Sequence, residues 1–385
     1  MQDEVVRRAE AMADDAQAAE ALAQQLGAGP FALVVVFVSP QCPDVAGLLA
    51  QLGTALAPAP VIGCTTAGEI GAQGYAEGLA VAMALPDRLF HAETLLVDDL
   101  SALDAQAVTG DLIRNRGNLS AARPDWEHEF AFLLVDGLSG KEDELAAALA
   151  PGLGPVQLFG GSAADGNRFL QTFVFHRGQV LRNAAVIAQI RTRCPVRVFK
   201  FDHFHPTQTR MVVTGADPTR RIVNSINAEP AAQEYARLLG KDPEQLTPFT
   251  FAAHPVVVQI GGRHHVRSIR QVDENGDLIF YSAIDEGLIL TLAEADNMTH
   301  HLEQSLDGLG VTEPPRAILA CDCMLRRLEA QEKQLGGRIS RLLQAHKVTG
   351  FSTYGEQLNA MHVNQTLTGV AIYAPESRPG GPRHG

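Results

Sequence analysis

A seven-residue phrase occurs twice in this chain, once near each end. Residues 63–69 read Gly-Cys-Thr-Thr-Ala-Gly-Glu, and residues 350–356 read Gly-Phe-Ser-Thr-Tyr-Gly-Glu. An apolar run and a helical pattern precede each copy, and a second apolar run follows it, which is the pattern of strand, helix, polar turn and strand. The sequence therefore predicts that one structural unit has been used twice and that the two polar turns share one type of site.

The composition is that of a globular protein with an acidic surface. The chain has 385 residues, of which 46% are hydrophobic, and a formal net charge of -13. This charge repels the phosphates of nucleic acids and of anionic lipids, so neither is expected as a partner. No apolar run is long enough for membrane insertion, no secretory signal is evident, and the five cysteines are scattered. Together these features predict a cytoplasmic protein without disulfides.

The apolar runs predict more strands than helices. We expect an α/β fold with an α+β tendency, in which mixed sheets carry helices on their outer faces. A loop signal at residues 215–219 divides the chain. The expected organisation is an N-terminal helix over residues 1–27, one domain over 28–215, a second domain over 216–375, with a long helix over 326–345, and a disordered tail over 376–385.

Hydroxyl and carboxylate side chains dominate the repeated phrase. Hydroxyls both donate and accept hydrogen bonds, and the glycines let the backbone approach another group closely. The pattern is compatible with a ligand-contacting turn and with a turn that only satisfies its own backbone. The candidate ligand-binding residues are Cys64, Thr65, Thr66, Glu69, Ser352, Thr353, Glu356 and, beyond the second copy, Asn364.

A further glycine-rich segment, residues 160–166, follows another apolar run. It lacks the spacing of a Rossmann turn and the Lys-Ser/Thr ending of a P-loop. We therefore expect it to approach a neighbouring segment or ligand closely and not to cradle a phosphate.

The cysteines suggest two other kinds of site, a metal site and a catalytic thiol. Cys321 and Cys323 flank one residue at a strand end, which fits a structural metal site only if further ligands join them. Cys64 is a candidate nucleophile of a thiol enzyme, although the second copy of the phrase has phenylalanine at that place. Neither a G-x-S-x-G elbow nor an H-E-x-x-H motif occurs, so binding is favoured over catalysis and no enzyme activity is expected.

Longer stretches around these motifs resemble the FIST domain family. Residues 63–70 resemble the signature of the N-terminal FIST domain, and residues 227–231 and 350–357 resemble the FIST C-terminal domain. The resemblance covers nearly all of residues 28–375. It implies a ligand-sensing protein of bacterial signal transduction, and it suggests a stand-alone sensor because no kinase or cyclase segment remains.

Residues 321–329 and 361–366 are similar to the nitric-oxide-sensing (NosP) branch of that family. This similarity implies a non-covalent haem b with a histidine axial ligand, nitric oxide as the ligand of the iron, and a histidine kinase or cyclic-di-GMP enzyme as the partner. The candidate iron ligands are His203, His205 and His362. Arg326 is the candidate partner of a haem propionate, and Tyr354 is counted among the haem-contacting residues.

Three alternatives stay open at the level of the sequence. The first is a FIST sensor of a small organic ligand such as an amino acid, without haem, because polar phrases in both halves suit a carboxylate and an ammonium group. The second is a thiol-dependent enzyme that uses Cys64, and the third is a scaffold with a metal at Cys321 and Cys323. A homodimer is also considered.

Overall fold

The computed structural model describes residues 4–260 and 262–375, so the tail predicted over 376–385 lies outside the described residues. The fold repeats one unit three times. Each unit runs strand, helix, strand, helix region, strand, hairpin and strand. A separate lobe is inserted into the third unit after its first strand.

The first two units follow one another directly. The first contains β1 (Arg7–Met12), α1 (Ala18–Leu26), β2 (Phe31–Val38), α2 (Val45–Ala55), β3 (Val61–Thr65), β4 (Glu69–Gly71), β5 (Gly74–Ala76) and β6 (Leu79–Pro86). The second contains β7 (Phe90–Val97), α3 (Ala105–Ala122), β8 (His128–Val135), α4 (Glu142–Leu153), β9 (Leu158–Ser162), β10 (Val174–His176), β11 (Gln179–Leu181) and β12 (Ala185–Thr192).

The third unit begins with β13 (Val196–Phe201) and is interrupted by the lobe. The lobe contains β14 (Phe204–Asp217), β15 (Ile222–Ile226), β16 (Glu229–Pro230), α5 (Ala231–Leu239), α6 (Pro248–Ala253), β17 (Val256–Ile260), β18 (Arg263–Arg267), β19 (Ile269–Val272), β20 (Leu278–Phe280) and β21 (Ile289–Ala295). The unit then resumes with α7 (Met298–Leu309), β22 (Ala317–Cys323), α8 (Met324–Glu332), α9 (Gly336–Ala345), β23 (Val348–Thr353), β24 (Glu356–Leu358), β25 (Met361–Val363) and β26 (Leu367–Ile372).

The three units exchange hairpins in a cycle. Each unit supplies four strands of a six-stranded sheet and completes that sheet with a hairpin of another unit, in the orders β1-β6-β2-β3-β10-β11, β7-β12-β8-β9-β24-β25 and β13-β26-β22-β23-β4-β5. The hairpin of the first unit pairs with β23, that of the second with β3, and that of the third with β9. No unit can therefore complete its sheet without the other two.

The inner faces of the three sheets pack on one central core, and the helices cover the outer faces. In β2, residues Leu33 and Phe37 belong to the central cluster, whereas Val34 and Val38 pack against α1 and α2. This is the period-two alternation of a strand that is buried on both faces. The rings of Phe37 and Phe351 stack across the core with their centroids 4.5 Å apart.

The lobe, residues 204–295, has its own eight-stranded sheet and its own apolar core. We call the rest of the molecule the body. The chain leaves the body after His203 and returns at Asp296, and the amide of Asp296 donates to the carbonyl of His203 at 2.7 Å. These two crossing segments form a narrow neck between lobe and body.

The mixed α/β fold with outer helices is confirmed, and two local predictions are wrong. Residues 7–12 form β1 instead of helix, because antiparallel pairing with β6 overrides the helical propensity of the alanine-rich segment. The helix predicted over 326–345 is divided into α8 and α9, because Gln334 adopts a left-handed φ of 56°.

The domain boundary predicted at residues 215 and 216 lies within β14. Among the described residues, no helix is both long and apolar enough to cross a bilayer.

The fold predicts that the first glycine of each polar phrase cannot gain a side chain. Gly350 lies opposite Ala320 in the parallel pair β22–β23, and a Cβ at Gly350 would overlap the carbonyl oxygen of Ala320. We expect Gly350→Ala to lower the free energy of unfolding by roughly 1–3 kcal/mol, measured by guanidinium denaturation.

Gly117→Ala is the matched control for that substitution. Gly117 lies in α3, and a Cβ there meets nothing within 4 Å. This variant should be more stable than the natural chain by about 0.5–1 kcal/mol. Equal effects of the two substitutions would contradict the close strand approach.

Candidate functional site

Three polar turns meet at the centre of the body. We call residues 63–69 turn 1, residues 160–166 turn 2 and residues 350–356 turn 3. Each turn is bonded to both others through the backbone: the amide of Ser352 donates to Gly68 at 2.7 Å, that of Ser162 donates to Gly355 at 2.8 Å, and that of Ala164 donates to Thr65 at 2.9 Å. The glycine-rich segment 160–166 is thus a third, diverged copy of the repeated phrase.

The acidic residue of turns 1 and 3 closes its own turn. The hydroxyls of Thr66 and Thr353 donate to Glu69 and Glu356, respectively. The second carboxylate oxygen of Glu356 accepts from the hydroxyl of Thr366 at 2.7 Å. All four of these predicted ligand-binding side chains are fully buried. Their contacts hold the turns together, as a backbone-satisfying turn requires.

Burial changes the acidity of both glutamates. It raises the pKa of Glu356 to about 8 and that of Glu69 to about 7, and the hydrogen bonds from the threonines only partly oppose it. A carboxyl group without a cationic partner is easier to bury as the neutral acid.

The remaining predicted residues of turns 1 and 3 are also structural. The hydroxyl of Thr65 accepts from the amide of Phe173 at 3.1 Å, and that of Ser352 contacts Nη1 of Arg327 at 3.4 Å. Cys64 lies in the central core, and burial raises the pKa of its thiol well above the ordinary value. A protonated, enclosed thiol does not serve as a nucleophile.

A cavity of about 160 Å³ lies between the lobe and the body. Turn 3 contributes Tyr354 to its wall, and the following hairpin contributes His362. The lobe contributes Arg270 and Tyr281. Two of the residues predicted from the sequence, Tyr354 and His362, therefore line one site.

An aromatic stack forms one wall of the cavity. The rings of Phe169 and Tyr354 stack with centroids 4.4 Å apart, and the guanidinium of Arg270 lies 4.4 Å from the centroid of Phe169. Asp165 of turn 2 fixes this arrangement, since it accepts from the amide of Phe169 at 2.8 Å and from the hydroxyl of Tyr354. The ring of Tyr281 approaches Phe169 with centroids 6.1 Å apart.

The hairpin β24–β25 joins the lobe beside this cavity. The side-chain oxygen of Asn364 accepts from the hydroxyl of Ser282 and, at 3.4 Å, from the amide of Ser268. The side-chain amide of Gln357 lies 3.1 Å from Nδ1 of His362. Burial lowers the pKa of His362, so its ring is neutral near neutral pH.

An arginine fastens the opposite side of the cavity. Nη2 of Arg221, from the lobe, donates to Glu142 at 2.6 Å and to the carbonyl of Gly140 at 2.9 Å, and it lies 3.3 Å from Asp143. Glu142 and Asp143 begin α4 of the body. Lobe and body are thus tied together on both sides of the cavity.

The neck contains a buried cluster of charged and polar side chains. Arg326 donates to Asp322 at 2.8 Å and to Nδ1 of His203 at 3.0 Å, and Nε2 of His203 lies 3.0 Å from Glu329. The hydroxyl of Tyr75, from the exchanged hairpin β4–β5, donates to Asp322. The cluster thus connects α8, the first unit and the point where the chain enters the lobe.

The hydrogen bonds of this cluster define the state of His203. Because arginine only donates, Nδ1 accepts and the ring proton lies on Nε2, where it is donated to Glu329. Burial lowers the pKa of His203, which keeps the ring neutral. Burial acts to raise the pKa of Glu329, but the hydrogen bonds from His203 and Lys333 outweigh it and leave that pKa below the ordinary value.

The three candidate haem ligands do not form one site. Both ring nitrogens of His203 are engaged in the neck cluster, whereas His205 is exposed beside Glu294 and Asp296. The cavity at His362 is smaller than the roughly 300–1,000 Å³ of pockets for drug-sized ligands. Arg326 is fully buried and paired with Asp322, so it offers nothing to a propionate. The residues present do not fit a haem.

Cys321 and Cys323 lie on β22 and point to separate apolar clusters. Burial raises the pKa of both thiols well above the ordinary value. Within residues 4–260 and 262–375, no group of three or more His, Cys, Asp or Glu side chains is placed to hold a metal ion.

A larger cavity of about 750 Å³ lies at β1 and the exchanged hairpin β4–β5, and Glu10, Arg316 and Lys347 contribute to its walls. It is far wider than the cavity between lobe and body, but none of the site residues predicted from the sequence lines it. We therefore place the functional site at the smaller cavity, where turn 3 meets the lobe.

Sequence reasoning missed four residues of that site: Phe169, Arg221, Arg270 and Tyr281. The available signal was the glycine-rich segment 160–166, which shares with the repeated phrase the first glycine, Gly160, and the hydroxyl residue at the third position, Ser162. Recognition of that third copy would have directed attention to Phe169, which lies three residues after it.

Family comparisons agree with this architecture. The FIST N domain matches residues 32–229, and the FIST C domain matches residues 231–359. The chain belongs to the FIST family. FIST domains are sensory domains of signal transduction. In this FIST protein the two matches meet at residue 230, inside the lobe.

One curated relative is the uncharacterized protein MJ1623 of Methanocaldococcus jannaschii. It is 23% identical over 282 residues, which are 64% of this FIST chain and 54% of the relative. The chain thus spans about half the length of the curated relative that it matches.

The acidity of the buried glutamates predicts a pH dependence of stability. Because the folded state holds a proton on Glu356 up to about pH 8, whereas the unfolded state loses it near 4.5, the free energy of unfolding should fall as the pH rises through this window. Glu356→Gln should flatten that fall in urea denaturation experiments. Glu274→Gln, in an exposed turn, is the control and should leave the slope unchanged. A slope that is identical in all three proteins would contradict the assigned acidity.

The neck cluster predicts a graded response to substitution of His203. His203→Leu removes one hydrogen-bond partner each from Arg326 and Glu329, which keep their ion pairs with Asp322 and Lys333, and should cost about 1–3 kcal/mol in the free energy of unfolding. His203→Gln retains one donor and one acceptor and should cost less. His205→Leu, at an exposed position two residues further along the chain, should change stability by at most about 0.5 kcal/mol. Equal losses for leucine and glutamine at residue 203 would show that the hydrogen bonds are unimportant.

Proposed function

We propose that this FIST protein senses a small organic ligand that binds in the cavity between the lobe and the body. The observation that carries the proposal is a group of buried polar atoms without a hydrogen-bond partner among the described residues. They include Nε of Arg270, Oγ of Ser268 and Oε1 of Gln357. Buried polar atoms are normally satisfied, by protein, water or ligand.

One of these atoms belongs to a residue that lines the cavity, and the other two belong to residues that contact its wall at His362 and Tyr281. Arg270 lines it, Gln357 contacts the ring of His362, and Ser268 shares the side chain of Asn364 with Ser282. A polar ligand in the cavity would meet the unpartnered Nε of Arg270 on the lobe side and the wall residues Tyr354 and His362 on the body side at once. Its binding energy would therefore depend on the relative position of lobe and body.

That dependence is what a sensor requires. A ligand shifts a conformational equilibrium only if it binds one state more tightly than another. A ligand that bridges Arg270 of the lobe and Tyr354 of the body favours the closed arrangement. The neck at His203 is the point about which the lobe would move, and a change there reaches α8 through Arg326 and Glu329. A signalling protein that contacts this region would receive the change.

The finer prediction of haem and nitric oxide binding rests on the resemblance to the NosP branch alone. No contact of His203, His205 or His362 supports an axial ligand. We retain from that prediction only the class of partner, a histidine kinase or a cyclic-di-GMP enzyme, as part of the proposal. Amino acids are one class of ligand to be screened.

The proposal predicts that filling the cavity abolishes ligand binding. Thr219 lines the cavity from an exposed loop, so Thr219→Trp should occupy it without disturbing the core. In a thermal-shift screen of small metabolites, the natural chain should show a rise in Tm with at least one compound, and Thr219→Trp should lose this rise.

Thr312→Trp is the control, because Thr312 is exposed on a loop that does not line the cavity. It should keep the response. A response that survives in Thr219→Trp would place the ligand elsewhere. A stoichiometric Soret band on addition of haem, lost in His362→Ala but kept in His205→Ala, would overturn the proposal in favour of haem.

A further inference from the structure

The cavity between lobe and body carries positive charge, although the whole chain is acidic. Three arginines line it, Arg220, Arg221 and Arg270, against one acidic residue, Glu142. Glu142 is consumed by its ion pair with Arg221 at 2.6 Å. The ring of His362 is neutral and adds no charge. The wall therefore presents unbalanced arginine charge to a ligand.

Arg270 is the more buried of the two lining arginines that make no side-chain ion pair among the described residues, since Arg220 is exposed. The guanidinium carbon of Arg270 lies over the ring of Phe169, 4.4 Å from the centroid, and neither a hydrogen bond nor an ion pair to its side chain exists among residues 4–260 and 262–375. Its Nε is buried. A stacked guanidinium leaves its edge free for two parallel hydrogen bonds, which is the geometry that a carboxylate accepts.

A second buried arginine, Arg267, adds positive charge next to the cavity. Arg267 is 8% exposed, and its guanidinium contacts the carbonyl of His362 at 3.2 Å without a carboxylate within ion-pair distance among the described residues. Burial of such a cation is costly unless an anion approaches it. Asp143 acts on Arg267 only at longer range, and it is itself held by Arg221.

Tyr281 supplies a neutral donor in the same cavity. Among the described residues its hydroxyl contacts only Sδ of Met324, at 3.9 Å, and a thioether is a weak acceptor. The hydroxyl is thus available to a ligand oxygen. The hydroxyl of Tyr354, by contrast, is engaged with Asp165 and with the carbonyl of Gly166 at 3.0 Å.

The described residues offer no carboxylate to an ammonium group in this cavity. Glu142 and Asp143 are both paired with Arg221. Asp165 is saturated by the amides of Phe169, Leu170 and Gln171 and by Tyr354. The positive end of a zwitterionic amino acid would be buried next to arginine charge, which is unfavourable.

We propose that the cavity binds a small organic acid without an amino group, whose carboxylate pairs with Arg270 and accepts from the hydroxyl of Tyr281. The apolar part of the acid packs between Phe280 of the lobe and the ring of Tyr354 of the body, which both line the cavity, so that the bound acid bridges lobe and body. The volume of about 160 Å³ restricts the ligand to a short chain. This inference rests on the proposed function and names the chemical class of its ligand.

The test is isothermal titration of the full chain with matched sets of compounds. Each set contains a carboxylic acid of two to six carbons, its neutral amide and its α-amino derivative, for example propionate, propionamide and L-alanine. At least one acid should bind with a Kd in about the millimolar range or tighter. Its amide and its amino derivative should bind at least tenfold more weakly.

Two variants assign the binding to the arginine. Arg270→Gln should weaken the acid at least tenfold, because it removes the charge and the paired donors. Arg210→Gln, at an exposed position on β14 of the same lobe, should bind the acid as the natural chain does. Circular dichroism and the Tm of each variant confirm that it is folded.

The other outcomes separate this inference from the proposed function. If amides or amino acids bind as well as the acids, and Thr219→Trp abolishes their binding, the organic-acid inference is wrong and the sensor proposal stands. Acid binding that is unchanged in Arg270→Gln also overturns the inference. If no compound binds in a manner that Thr219→Trp abolishes, both proposals fail.

Discussion

The backbone hydrogen bonds among the three polar turns are the constraint on which the rest of the structure depends. They exist because each turn begins with a glycine, Gly63, Gly160 or Gly350, that has no Cβ to collide with the carbonyl of the neighbouring parallel strand. The turns lie where the three sheets exchange their hairpins. A change that disrupts one turn therefore destabilises all three sheets. We expect the body to unfold as one cooperative unit.

The functional site arises where this threefold repetition is broken. At turn 1, Arg327 lies against Gly68 and donates to the carbonyl of Ala76 at 2.8 Å. At turn 2, Arg168 donates to the carbonyl of Asp165 at 3.1 Å. Among the described residues, the body places no such arginine at turn 3. The lobe covers that position instead and leaves a cavity, so an insertion into one of three similar units has created one distinct site.

Under the proposed function, the body is the fixed part of the sensor and its boundary with the lobe is the part that changes on ligand binding. The repeated Thr and Glu side chains, which look like ligand contacts in the sequence, are used to close the turns. In the proposed sensor, the responsive part is the boundary between lobe and body, where Arg270 has no hydrogen-bond partner among the described residues and where the neck carries a buried charged cluster. A sensor needs both, because a movable lobe transmits a signal only relative to a rigid body.

Much of the fold could be predicted from the sequence, and the reasons for the failures are physical. The strands of the body carry long apolar runs, so their presence and the mixed α/β class were predictable. The third copy of the phrase was hidden because Ala163 and Gly166 replace threonine and glutamate there, and Asp165 takes over the acidic role. Hairpin exchange joins residues hundreds of positions apart, as in the pairing of Phe351 with Glu69, and local patterns do not encode it.

The site itself was only partly predictable for the same reason. Tyr354 and His362 lie in motifs that attract attention, whereas Arg270 follows an ordinary strand pattern and gains its role only by stacking on Phe169, about a hundred residues earlier in the chain.

The central claim, that a ligand binds between lobe and body while the three turns stay rigid, is tested most directly by hydrogen exchange. Exchange of the full chain is followed by mass spectrometry, with and without a saturating short organic acid such as propionate. The account predicts that β19–β20 of the lobe and β24–β25 of the body become protected together while the turn amides stay protected in both states. Protection confined to the large cavity at β1, or turn amides that exchange quickly without ligand, would contradict it.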